Sequence, residues 1–116
     1  MTGMFFERST SSAGFASSNE YVVLSAHLDS YDAASGATDN GTGTITMMEA
    51  VRILKKIYPN PRRTIIVGHW GGEEQGLNGS RAFSEDHPEV VSGLQALFNQ
   101  DNGTGRVVNI SASGLV

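Results

Sequence analysis

Two short runs of β-branched and apolar residues, Tyr21–Ala26 and Arg63–Trp70, bracket a stretch from Ile45 to Tyr58 whose apolar residues recur at helical spacing. Strand, helix, strand in that order is the pattern of a crossover unit, in which the helix carries the chain back so that both strands run parallel. Within the helical stretch Met47, Met48, Val51, Leu54, Ile57 and Tyr58 fall on one stripe, while Glu49, Arg52, Lys55 and Lys56 lie mostly elsewhere. The stripe predicts a helix over 45–58 that needs no ligand to explain it, stopped by Pro59 and Pro61. Thr42 or Thr44 is placed to cap it. Downstream, Gly79–His87 reads as a short helix closed before Pro88, Leu94–Asn99 as a third strand, and Arg106–Ile110 as a fourth. Residues 1–20 are rich in Ser, Gly and Thr around the apolar Met4–Phe6, and read as an arm or a loose first strand. The expected fold is therefore an α/β three-layer sandwich around a mostly parallel, mixed sheet, with residues 21–116 as its body.

Composition narrows the chemistry. With 116 residues the chain has room for one modest core. Eight Lys and Arg against twelve Asp and Glu give a net charge of -4, which argues against nucleic acid or an anionic membrane as a partner. No apolar run approaches the roughly 20 residues of a membrane helix. The absence of Cys removes disulfides, thiolate metal sites and cysteine nucleophiles, so a metal would have to be held by His, Asp or Glu.

Those residues gather where strands end. The first run leads into His27-Leu28-Asp29, the second into Glu73-Glu74 and the third into Asp101, while the Gly- and Asn-punctuated loop after the first supplies Asp39. In a parallel sheet these ends share one edge, where ligands collect. Each element alone is a common coincidence; together they place carboxylates that repel one another unless a cation neutralises them. Imidazole with carboxylates and no sulfur suits zinc or a similar divalent transition ion, and the surplus of acids suggests two ions about 3.5–4 Å apart sharing a carboxylate. The loop Ala37-Thr38-Asp39-Asn40-Gly41-Thr42-Gly43 lacks the Lys and the glycine spacing of a phosphate loop. His69, inside a strand run, and His87, before Pro88, read as a packed and a surface histidine, and Asn109-Ile110-Ser111 fits a glycosylation acceptor.

The segments His27-Leu28-Asp29-Ser30, Gly36–Gly43, Glu49-Ala50-x-Arg52-x-Leu54 and Trp70–Ser80 together resemble the co-catalytic zinc exopeptidases of clan MH. Within these they are most similar to the family of aminopeptidase Y and plasma glutamate carboxypeptidase, the twenty-eighth metallopeptidase family. The resemblance covers about Tyr21 to Asn109. It implies that His27 binds one metal, that Asp39 bridges two, that Glu74 binds the other, and that Asp101 completes the His27 metal. By the same resemblance Asp29 orients the His27 ring and Glu73 is the general base. The reaction implied is hydrolysis of terminal peptide bonds by a metal-activated water, with peptides as substrates, zinc as cofactor and an exported parent, periplasmic or extracellular. A cis peptide bond at Asp39-Asn40 is also implied.

Two departures shape the expectation. The family completes its second metal with a downstream His, whereas no His follows His87 here, and Asn102-Gly103 follows Asp101 where the family often has an apolar residue. The chain thus reads as an N-terminal part of a catalytic domain, with impaired activity and a sheet edge open to self-association. The alternatives are a non-catalytic metal-binding or association module built on the same fold, and a different reaction on that scaffold, such as glutaminyl cyclisation.

Overall fold

In the computed structural model, residues 2–6, 19–101 and 103–114 are described. Four strands, β1 (Thr2–Phe6), β2 (Tyr21–His27), β3 (Thr64–Trp70) and β4 (Leu94–Asn99), form one sheet in the order β1-β3-β2-β4. β2 pairs in parallel with both β3 and β4, and β1 lies antiparallel on the outside of β3, with Met4 opposite Val67. The loose first strand expected near the N-terminus is thus a strand of the sheet. The arm expected over the rest of residues 1–20 falls largely outside the described residues.

The connections decide where a site can form. From β2 the chain crosses through α1 (Thr42–Ile57) to β3 on one side; from β3 it crosses through α2 (Asn78–Asp86) and α3 (Pro88–Ser92) to β4 on the other side of β2. The helices take opposite faces, as the two cores record. α1 presents Met47 and Val51 to Leu24, Ala26 and Val67, while Phe83 of α2 and Val90 of α3 pack on Val23, Ile66 and Trp70. β2 is buried from Val23 to His27 because both its faces and both its edges are covered, which suits its unbroken apolar sequence. A pocket lined by His27, Trp70, Glu73 and Asp101 lies at the carboxyl end of β2, the usual ligand position in such sheets.

Several details differ from the sequence expectation. α1 begins at Thr42, three residues early, with Gly41 rather than a threonine at its cap. Its stripe is narrower than predicted: Met47, Val51 and Leu54 face the sheet as expected, joined by Ala50, while Met48, Ile57 and Tyr58 are exposed. Only β2 and β3 lie beneath α1, so a wider stripe would have nothing to cover. Pro88, read as an end signal, also begins α3, since its fixed φ suits a first turn. The fourth strand expected at Arg106–Ile110 does not form; Gly103 and Gly105 turn the chain away at φ 74° and 106°, and Val107, Val108 and Ile110 are exposed. No described helix is long and apolar enough to cross a membrane.

Gly68 makes room for an aromatic anchor. The Trp70 ring lies back over it, 5.1 Å from the Phe83 ring centroid, and a Cβ at position 68 would run into the indole. Gly68→Ala is therefore expected to lower the unfolding free energy by about 1–3 kcal/mol through overpacking. Urea denaturation followed by the fluorescence of Trp70, the single tryptophan, checks this.

Candidate metal centre

His27 is the last residue of β2, with its side chain almost wholly buried. The strand delivers its ring to that pocket, and three contacts orient it. Nδ1 lies 3.0 Å from the backbone carbonyl oxygen of Asp29, while Nε2 lies 2.9 Å from Asp39 Oδ1 and 2.9 Å from Asp101 Oδ1. A carbonyl oxygen only accepts, so Nδ1 carries the N–H. In the neutral ring Nε2 then turns a lone pair toward two carboxylate oxygens. That arrangement is repulsive unless a proton or a metal ion sits between them. Burial alone would depress the His27 pKa, but Asp101, the Asp29 carbonyl and the Glu73 charge together hold it above the ordinary imidazole value.

Asp29 does a different job from the one expected of its side chain. Its carboxylate is 3.6 Å from His27 Nδ1, too far for a good hydrogen bond, so its backbone holds the ring. The carboxylate instead accepts the backbone N–H groups of Glu73 at 3.1 Å and Glu74 at 3.2 Å, tying the turn after β3 to the end of β2. Burial works against its ionised form, yet these two donors outweigh it and hold the Asp29 pKa below the usual carboxylate value.

The remaining acids complete two overlapping groups. His27, Asp39 and Asp101 form one, and His27, Glu73 and Glu74 the other, each with ligand-type atoms within 4.8 Å of one another. Glu74 Oε1 is sealed from solvent without a hydrogen-bond partner. Burial, then the charges of Asp39 and Glu73, push the Glu74 pKa up, the response of a carboxylate crowded by its own kind. A lone pair facing two carboxylates, an orphaned buried carboxylate oxygen and a donor set of one imidazole with hard oxygens all fit a divalent cation. The Asp39-Asn40 peptide bond is cis, as the resemblance implied.

All six expected residues therefore meet at one edge. What the sequence reading passed over is the scaffold that holds them. Thr44 donates its hydroxyl to the His27 carbonyl at 3.1 Å, and the buried Asn40 bonds to the Gln100 carbonyl at 2.8 Å. No sequence motif marks these, because a Thr in a first helical turn and an Asn in a Gly-rich loop are read as capping and turn residues. His69 and His87 take no part. His69 sits half-buried in β3 with its pKa lowered by burial, and His87 ends α2 against Phe83 and Glu89.

A histidine flanked by carboxylates at one edge of a mixed α/β sheet is thus an arrangement that suits a divalent cation. The chain belongs to peptidase family M28, whose model matches residues 10–112. It is similar to carboxypeptidase Q of Xenopus laevis, 34% identical over 95 residues, 82% of this chain and 20% of that protein. It is also similar to human carboxypeptidase Q, at 34% over 85 residues, 73% of this chain and 18% of that protein. A probable leucine aminopeptidase of Arthroderma otae is 38% identical over 104 residues, 80% of this chain and 29% of that protein. The chain thus spans between 18% and 29% of the length of these relatives.

Asp29→Asn keeps the shape but leaves one oxygen for two N–H donors. At neutral pH it is expected to cost about 1.5–3 kcal/mol of stability, the range for hydrogen bonds to a charged group. Because the folded pKa of Asp29 is depressed, its contribution is present above the unfolded value of about 3.9 and is lost as pH falls through the folded one. The gap between wild type and variant should close on acidification below about pH 4, read by chemical denaturation across a pH series.

Proposed function

We propose that this chain carries the metal centre of a zinc-dependent exopeptidase that hydrolyses terminal peptide bonds of short peptides. The observation that carries the reading is the pair of carboxylates, Asp39 and Asp101, both 2.9 Å from one nitrogen of a buried histidine. Membership of a peptidase family supports the reaction class, and relatives named as a carboxypeptidase and as aminopeptidases support action at a chain end. His27, Asp39 and Asp101 would hold one ion, and Asp39 and Glu74 would contact a second. When bound, zinc supplies a Lewis acid that makes water a nucleophile near neutral pH.

The placement of the protein groups supports a role for each. Glu73 stands beside the ligand cluster with its backbone pinned by Asp29, so its carboxylate is free to act as general base. It takes a proton from the attacking water and returns it to the departing amine, so one carboxylate serves both steps. Asp29 keeps Glu73 and Glu74 at a set distance from His27. The reading extends to an exported parent protein. It also extends to self-association through the outer edge of β4, which has no strand partner among the described residues and carries the exposed Leu97 and Phe98.

Zinc titration of the chelated chain by calorimetry, with metal analysis, tests the centre. Wild type is expected to bind and Asp39→Ala to lose the ion or ions that Asp39 holds; equal binding by both would overturn the assignment. Zinc must displace the proton that His27 holds more tightly than an ordinary imidazole. Affinity should therefore rise with pH, by up to about tenfold per unit, until the raised His27 pKa is passed. Titrations in buffers of different ionisation enthalpy count the released proton.

A further inference from the structure

Three ligand-bearing segments, the end of β2, the loop 37–41 and the end of β4, converge on the first turn of α1, and one side chain joins two of them. Asn40 is buried to 1% exposure although it is polar and belongs to a loop. Its carboxamide is used from both ends. Nδ2 donates to the Gln100 carbonyl oxygen at 2.8 Å, and Oδ1 accepts the Gly43 backbone N–H at 3.1 Å. Asn40 follows Asp39 directly, and Gln100 precedes Asp101 directly. The bond therefore ties together the backbones of the two carboxylates that close on His27 Nε2, which are 62 positions apart in the chain.

The surroundings are shaped around this clasp. A Cβ on Gly43 would run into Asn40 Oδ1 and the Gln100 carbonyl oxygen, so only glycine lets the helix start come this close. Around it, Gln100 N–H donates to the Ser25 carbonyl at 3.0 Å, Gln100 Nε2 donates to the Gly103 carbonyl at 3.0 Å, and Thr44 holds the His27 carbonyl. The carboxylates themselves are the exposed part: the side chain of Asp39 is 64% accessible and that of Asp101 36%. Besides the His27 nitrogen that both carboxylates face, the buried amide links their backbones and so opposes their mutual repulsion.

We propose that Asn40 is a positioning residue of the metal centre, whose carboxamide sets the spacing of Asp39 and Asp101 across His27 in the space that Gly43 leaves. The proposal rests on the zinc-centre reading. Its test is zinc titration of the 116-residue chain and of Asn40→Leu and Gly43→Ala, with fold monitored by circular dichroism. Asn40→Leu keeps the volume and removes both bonds; Gly43→Ala keeps Asn40 and pushes the clasp apart. Each is expected to raise the zinc dissociation constant about 10–100-fold, the effect of losing a group that orients metal ligands. Val51→Ala, a cavity farther along the same helix, separates positioning from general loss of stability: it should lower the melting temperature and leave the zinc constant unchanged. Zinc constants within about twofold of wild type in both clasp variants, or an equal loss in Val51→Ala, would overturn the role of Asn40 while leaving the zinc centre standing. Failure of wild type to bind zinc would overturn both.

Discussion

The parallel pairing of β2 with a neighbour on each side is the constraint on which the rest of the structure depends. Because β3 and β4 lie on opposite sides of β2, one crossover leads from β2 through α1 to β3, and the other returns from β3 through α2 and α3 to β4 on the far side of β2. Both faces are occupied, by α1 and by α2 with α3, so β2 has to be apolar along its length and can afford a polar side chain only at the tip. His27 is that side chain. The same register that places His27 beside Trp70 brings Glu73 and Glu74 into reach just beyond β3, and pairing to β4 does the same for Asp101. Backbone geometry accordingly determines which side chains meet before any of them interacts.

Once they meet, electrostatics works against the fold and hydrogen bonding contains it. Five carboxylates near one histidine repel one another, and the neighbouring charges add to burial in raising the pKa of Glu74. Neutral backbone groups hold the cluster together: the amides of Glu73 and Glu74 on Asp29, the carbonyl of Asp29 on the ring, and the Gln100 carbonyl on Asn40. The like charges are thus fixed by partners that do not themselves need a cation. Fixed, converging anions with a histidine lone pair among them are the electrostatic complement of a small divalent ion.

The elements carrying this arrangement were readable because each depends on a local pattern. Tyr21–Ala26 and Thr64–Trp70 are continuous apolar runs whose ends carry the acids, and Met47 and Val51 mark the inward face of α1. Features that depend on what lies opposite were not readable. The exposure of Met48 and Ile57 follows from the narrowness of the sheet beneath the helix, and Val107, Val108 and Ile110 have strand composition but no strand to pair with among the described residues. The five acids and the histidine were legible from their order and from a family resemblance, whereas Asn40 and Thr44 were not. Their partners are backbone carbonyls from other segments, and a carbonyl leaves no trace in the identity of the residue that bears it.

The asymmetry of the sheet has a mechanical consequence. His27 stands on a strand hydrogen-bonded from both sides, whereas Asp101 lies just past β4, a strand paired on one side among the described residues. The candidate site therefore has one end on a doubly paired strand and one on a singly paired strand. A swing of β4 about its seam with β2 would change the gap between His27 and Asp101 as far as the bonds of Gln100 to Asn40 and Ser25 let it. Any element that hydrogen-bonds to the open side of β4 damps that swing, so coverage of a remote edge is transmitted to the centre as stiffness rather than as a change of shape.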